Sequence, residues 1–295
     1  MHRFYPVFIA LLLGIFQTTF GQLPQSIDEW NHWGKEQGWT FEISDRSILD
    51  MPFEHRSGVI VPKHWKDLAP FYAPQLNSDE ELPTTWDWRE HNGGTPVKHQ
   101  GSCGSCWAFG TVAVMEALIK IKTGKEIQLS EQQLVSCRPS FGSCMGGFFA
   151  LDFYRSHGAI YQQDFPYKGL WSGCKWLAPK HEKLKSWAYV GATNRQPTTE
   201  ELKTALYKFG PVAVTMSASG PFHYYQKGLY NGCVNGGINH IVTLVGWNDA
   251  DHSWIVKNSW GKNWGEDGYA RMLYTDTRGN KCNGIGSSAV IAVLP

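Results

Sequence analysis

The sequence predicts an α+β fold in two halves with a cleft between them, and three observations carry that prediction. Apolar residues recur at helical spacing early in the body of the chain, short β-branched runs follow later, and every cysteine lies after residue 102. Helices first and strands later are the pattern of an α+β domain. The length, 295 residues, and an apolar fraction of 42% allow a sizeable core. Charge is nearly balanced, with 27 basic and 26 acidic side chains. Neither nucleic acid nor an anionic membrane is therefore expected as the main partner.

The first 21 residues read as a secretory signal. His2 and Arg3 make a weak basic start, an apolar run covers 7–16, and the small residues Thr19 and Gly21 follow. The run is too short to span a bilayer, so residues 1–21 are expected to be removed after Gly21, leaving no membrane segment. Residues 22–81 contain no cysteine; they carry Trp30, Trp33 and Trp39, then Pro52, Pro62, Pro70 and Pro74, and end in the polar, acidic stretch 77–81. An exposed charged stretch between unlike segments marks a linker and a cleavage site. The expected organisation is a signal at 1–21, a pro-region at 22–81 and a mature body at 82–295.

Within the body, residues 106–122 read as a helix: Trp107, Phe109, Val112, Val114, Met115, Leu118 and Ile119 recur near helical spacing, and Gly124 stops it. A second helix begins at Ser130, where Gln133 three residues on suggests a capping box. Residues 212–216, 241–245 and 254–257 read as strands between Gly, Asn and Pro turns.

The seven cysteines are Cys103, Cys106, Cys137, Cys144, Cys174, Cys233 and Cys282. An exported chain keeps disulfides, and an odd count leaves a thiol over, a candidate for reaction. Cys106 opens the first helix, where unpaired N–H groups and the helix dipole favour a thiolate. Cys103 and Cys106 also form a Cys-x-x-Cys pair, whose rival readings are zinc and thioredoxin-type chemistry; no second such pair exists, so no metal is expected. Of the eleven histidines, His240 stands out because an apolar strand follows it directly.

The stretch Gln100-Gly-Ser-Cys103-Gly-Ser-Cys106-Trp107, with His240 and Asn258 134 and 152 residues beyond Cys106, resembles the papain family of cysteine peptidases. Similar blocks stand at 83–89, 95–98, 129–137, 146–147, 239–240 and 257–261, so the resemblance covers essentially all of 82–295. It implies a papain-like two-lobe fold, with a helical left lobe, a β-barrel-like right lobe and the active-site cleft between them. It implies Cys106 as nucleophile, His240 as its base, and Asn258 as the group orienting the imidazole under the cover of Trp260. The Gln100 amide and the Cys106 backbone N–H are the implied oxyanion donors. The implied disulfides are Cys103–Cys144, Cys137–Cys174 and Cys233–Cys282; spacing alone leaves all fifteen pairings open.

The resemblance further implies that Gly146 and Gly147 form the cleft wall that binds an extended peptide backbone. Phe148, Phe149, Thr215, Ile238 and Ile241 are the implied lining of a side-chain pocket with Ser288 near its base, although the extra residue Asn283 blurs the alignment there. That apolar lining predicts a bulky apolar or aromatic residue one position before the residue whose carbonyl is attacked. No long loop intervenes to block the cleft, so the expected activity is that of an endopeptidase. The front segment departs from the family's longer pro-region and lacks its interspersed helical pattern; Trp30, Trp33 and Phe41 are the candidates for a reduced hydrophobic platform.

Expected partners are protein or peptide substrates, the chain's own residues 22–81 and inhibitors of the cystatin type. A monomer without cofactor is expected. No Asn-x-Ser/Thr sequon occurs, which favours an extracellular destination over a lysosome-like one. Two rival classes fit the same residues: a catalytically silent papain-like binding protein, and an acyl transferase or ligase using the same triad.

Overall fold

The computed structural model describes residues 24, 26–45, 56–138, 142–234 and 236–295; the expected signal, 1–21, lies outside them. The front segment supplies a helix α1 (Ile27–Glu36), a short strand β1 (Phe41–Ile43) and a second strand β2 (Phe71–Tyr72). Ser26 caps α1 by accepting the Glu29 N–H, and acidic residues in its first turn oppose Lys35 in its last.

The body begins with β3 (Thr85–Asp87) and the long helix α2 (Cys106–Thr123), then α3 (Glu131–Cys137), the small hairpin β4 (Gly142–Ser143) and β5 (Gly146–Gly147), and α4 (Leu151–His157). Strand β6 (Ser186–Val190) and helix α5 (Thr199–Phe209) lead into β7 (Val212–Met216), β8 (Tyr225–Tyr230), β9 (His240–Asn248), β10 (Ser253–Lys257), β11 (Tyr269–Leu273) and β12 (Ala289–Val293). Ten strands form one mixed sheet in the order β1-β8-β11-β10-β9-β7-β12-β6-β2, with β3 added on β9.

Helix α2 has apolar side chains all round, which suits a helix enclosed on every side. It ends as its sequence predicts, at Gly124 in the left-handed conformation (φ 71°), with the Gly124 N–H on the Lys120 carbonyl. One buried core lies within the sheet around Phe222, Tyr225, Tyr230, Trp247, Trp254 and Trp264; the other surrounds α2 with Trp107, Phe148, Phe149, Tyr154 and Phe165. The front segment enters both: Trp30, Phe41 and Ile43 belong to the first, while Val59, Trp65 and Phe71 pack against the second.

The capping box expected at Ser130 is only half made. Ser130 Oγ accepts the Gln133 N–H at 3.0 Å, but the Gln133 side chain turns away, donating to Gly158 O and accepting from Ile160 N–H at 2.8 Å each. A buried glutamine takes whichever partners satisfy it, and here those are in a neighbouring loop. A complete box occurs instead at α5, where Thr198 and Glu201 bond reciprocally.

Candidate active site

Three disulfides, Cys103–Cys144, Cys137–Cys174 and Cys233–Cys282, leave Cys106 as the free thiol. Cys106 is the first residue of α2, and His240 is the first of β9, the strand against which that helix packs. Gly110 makes the close approach possible: a Cβ there would lie 2.5 Å from Ile241 Cγ2. Helix start and strand start therefore meet at the junction of the two cores.

His240 is fully buried, and its Nε2 lies 2.8 Å from Asn258 Oδ1. That oxygen also accepts the Ser259 backbone N–H at 2.8 Å, which fixes it as the acceptor. The proton therefore sits on His240 Nε2, and Nδ1, which makes no hydrogen bond among the described residues, keeps its lone pair. Trp260 stacks on the imidazole at 4.8 Å and 30°, shielding it from water. The other ring stacked on Trp260 is His223, at 5.3 Å and 13°.

Gln100 is fully buried in the loop before α2. Its Nε2 donates to Cys103 O at 3.0 Å, its Oε1 accepts the Ser259 hydroxyl at 2.7 Å, and its N–H meets Ser259 O at 2.9 Å. The amide is thus held between the residue after Asn258 and the loop that carries Cys106. Gly147 sits against the Trp107 ring so closely that a Cβ would come within 2.6 Å.

Around the implied pocket, Phe148 and Phe149 pack on each other at 4.6 Å, with Phe149 also against Tyr189 in the α2 core. Thr215 Oγ1 accepts the Ser288 N–H at 2.9 Å, so those two residues are adjacent. Ile238 stands over Gly284, where a Cβ would lie 3.2 Å from its Cδ1, and Ile241 faces α2 at Gly110. The extra residue, Asn283, is buried in the left-handed conformation (φ 48°). It clamps neighbouring loops by accepting the Val234 N–H and donating to Ser217 O.

The front segment crosses this site, a feature the sequence reading did not reach. Gly147 donates to Gly58 O at 2.8 Å and accepts from Ile60 N–H at 2.9 Å, a parallel bridge centred on Val59. The N–H groups of Gly58 and Val59 both point to Asn239 O, at 2.9 and 3.1 Å. On the other side Arg56 O accepts the Trp260 indole N–H at 3.0 Å. A Cβ at Gly58 would lie 2.0 Å from Gly104 O, so only glycine lets the strand lie this deep. The one sequence signal is the β-prone run Val59-Ile60-Val61 after a glycine.

This cover sets the electrostatics. Burial pushes the Cys106 thiol up to about 12, outweighing backbone N–H groups of Ile241, Trp107 and Gly58 that favour its anion. Burial likewise pushes His240 down to about 4, with Asn258 pulling the other way. In the covered chain burial therefore opposes the thiolate that the helix terminus favours, and favours the neutral thiol and the neutral imidazole. Among the described residues no group of three His, Cys, Asp or Glu side chains is placed to hold a metal ion.

The family model of the papain family cysteine protease matches residues 82–293. Zingipain-2 of Zingiber officinale is 43% identical over 201 residues, spanning 65% of this chain and 88% of that protein. Cathepsin K of Mus musculus is 34% identical over 257 residues, 82% of this chain and 76% of its own. The solved structure of digestive procathepsin L2 proteinase from Tenebrio molitor larval midgut superposes with a TM-score of 0.81 at 29% identity, covering 91% of this chain and 89% of that one. The free thiol at the start of α2 and the buried His240–Asn258 pair both lie inside the matched span, and this chain belongs to the papain family of cysteine proteases.

Proposed function

We propose that this papain-family cysteine endopeptidase cleaves peptide bonds through Cys106, His240 and Asn258, and that residues 22–81 are a pro-region holding it inactive. The observation that carries the reading is the His240 Nε2–Asn258 Oδ1 bond at 2.8 Å, which leaves Nδ1 as a base on the residue before Ile241, whose backbone N–H reaches the free thiol. With the cover gone, the Cys106 proton passes to Nδ1 and Sγ attacks the carbonyl carbon of an extended peptide. The oxyanion is stabilised by the Gln100 amide and the Cys106 N–H. His240 returns the proton to the departing amine, and water then resolves the thioester.

The pro-region reading rests on the hydrogen bonds that residues 58–60 make with Gly147 and Asn239, the backbone groups an incoming peptide would need. Residues 77–81 are exposed and offer a place to cut. The apolar side chains of Phe148, Ile238 and Ile241, with Thr215 and Ser288, support a preference for a bulky apolar or aromatic residue one position before the attacked carbonyl. A peptide library incubated with the trimmed enzyme tests this, with Cys106→Ser as control. Apolar enrichment at that position with an inert control is expected; strong preference for arginine there, or cleavage by the control, would contradict it. Entry through the secretory pathway is proposed from residues 1–21 together with the three disulfides.

A further inference from the structure

Among the described residues of the body, a group of exposed apolar side chains stands on the loop that follows Phe165. Leu170 is 55% exposed, Trp171 63%, Trp176 52% and Leu177 101%. Isolated exposed hydrophobics are ordinary; two Leu-Trp type pairs within eight residues are not.

The loop does not expose them through slackness. Cys174 is bonded to Cys137 at the end of α3. Gln132 of the same helix donates to Leu170 O at 2.8 Å and accepts the Lys168 N–H at 2.7 Å, and the Ser172 N–H reaches Ser136 Oγ at 3.3 Å. Residues 168–174 are thus tied to α3 at four places, and Trp176 packs on Phe153 and His157 of α4, so the loop presents its apolar side chains in a fixed arrangement. Among the described residues the front segment's aromatic anchors dock elsewhere, Phe41 on Tyr225 and Tyr230, and Trp65 on Phe148 and Tyr189.

Charge distinguishes the remaining occupants. Lys168, Lys175 and Lys180 are interleaved with the four apolar residues, all three are exposed, and no acid occurs from 165 to 181. Lys175 lies 5.3 Å over the Phe165 ring and its ammonium donates to Asp164 O at 2.9 Å, while the Lys180 ammonium donates to Trp176 O, so both charges are held against the loop on exposed residues. Tryptophan and leucine to enter the acyl boundary, with lysines at headgroup level, is the chemistry of a peripheral bilayer contact. The balanced charge of the whole chain, which argues against an anionic membrane as the main partner, conceals this local excess.

We propose that loop 168–180 docks this protein onto a bilayer surface rich in anionic lipid. The same loop touches the cleft rim: Cys144 Sγ lies 3.5 Å from Gly169 O, and Met145, 83% exposed, stands between Cys144 and the Gly146–Gly147 wall. Docking therefore brings the cleft to the membrane surface, where it would meet chains protruding from it. This inference is independent of the catalytic assignments.

The test is co-sedimentation of the full-length chain, carrying Cys106→Ala so that it stays intact, with vesicles of phosphatidylcholine alone or with phosphatidylserine. Binding is expected only to the phosphatidylserine vesicles and should weaken as salt is raised. Trp176→Ser with Leu177→Ser should weaken it by about tenfold or more. Lys175→Ala and Lys180→Ala should each weaken it by roughly fivefold. Leu177→Ser alone, at a fully exposed position, guards against misfolding of the double variant, and retained near-ultraviolet circular dichroism checks both. No binding at low salt, binding that none of these changes alters, retention on heparin without vesicle binding, or self-association that the double variant removes would each overturn the proposal.

Discussion

A thiol that attacks a carbonyl must first lose its proton, and in the covered chain Cys106 keeps it. Removing the cover lets water reach both groups, so the thiol should fall from about 12 and the imidazole rise from about 4 towards ordinary values. His223, down to about 3 through burial, joins them because it shares the Trp260 ring with His240. The sign follows from proton counting. If release restores the histidines to ordinary values, the released form binds more protons than the covered one between about pH 6.5 and 4. Cover is therefore lost progressively as pH falls through that window, and weakens again above about pH 9, where a released thiol ionises and a covered one does not. Accessibility of the 77–81 linker to an added protease should not change with pH over the same range, whereas Cys106 alkylation in the full-length chain should accelerate on acidification. Replacing Asn258 with alanine leaves His240 without its orienting acceptor; kcat should drop on the order of a hundredfold with KM little changed. The residues proposed for catalysis were legible because residues 100–107 form a contiguous motif and His240 and Asn258 stand at the matching distances beyond it. Their protonation was not, since it depends on Gly58, whose approach to Gly104 no local pattern announces.

At the level of single elements, the cover is held at two separate docks. The first is aromatic: Phe41 stacks on Trp39 at 4.6 Å and meets Tyr230 at 4.6 Å, while β1 pairs with β8. Phe41→Ala should cost about 3 kcal/mol of docking, read as earlier release in a urea titration followed by Cys106 labelling. The second is the strand 58–60, whose depth requires glycine. Gly58→Leu cannot be accommodated against Gly104 O, so the full-length chain should hydrolyse a small peptide substrate almost as fast as the trimmed one. A variant that stays inactive would show that the first dock alone suffices. Helix α2, the Gly124 stop and the three strands 212–216, 241–245 and 254–257 were readable from periodicity and punctuation. The Ser130 box was misread because two buried partners, Gly158 O and Ile160 N–H, outcompete the local one. The pairing of β1 with β8 joins Phe41 to Gly228 across 187 positions, and hydrophobic pattern alone does not reveal such a partner.

Across the whole molecule, the two cores are joined beneath the active site by buried charge as well as by α2. Lys98 Nζ lies 2.6 Å from Glu116 Oε1 and 2.7 Å from Glu131 Oε1 and also donates to Leu129 O at 3.1 Å. Lys257, at the end of β10, is pushed down to about 8 by burial, with Glu116 pulling it back up, and donates to Thr95 Oγ1. Glu116 belongs to α2 and Glu131 opens α3, so this group ties the helical half to the sheet. Lys98→Met leaves two buried carboxylates without their shared cation and should destabilise the fold by about 3–5 kcal/mol, measured by denaturant unfolding. The cluster escaped sequence reading because its members look like ordinary surface charges until the lobes close over them. Whether Cys106 is the nucleophile and residues 57–60 cover it is decided by timing its reaction with an epoxysuccinyl thiol inhibitor in full-length and trimmed protein. The expected result is one label per trimmed chain, on Cys106, at a rate at least about a hundredfold above that of the full-length chain. Equal rates in the two forms, or labelling that survives Cys106→Ala, would contradict it.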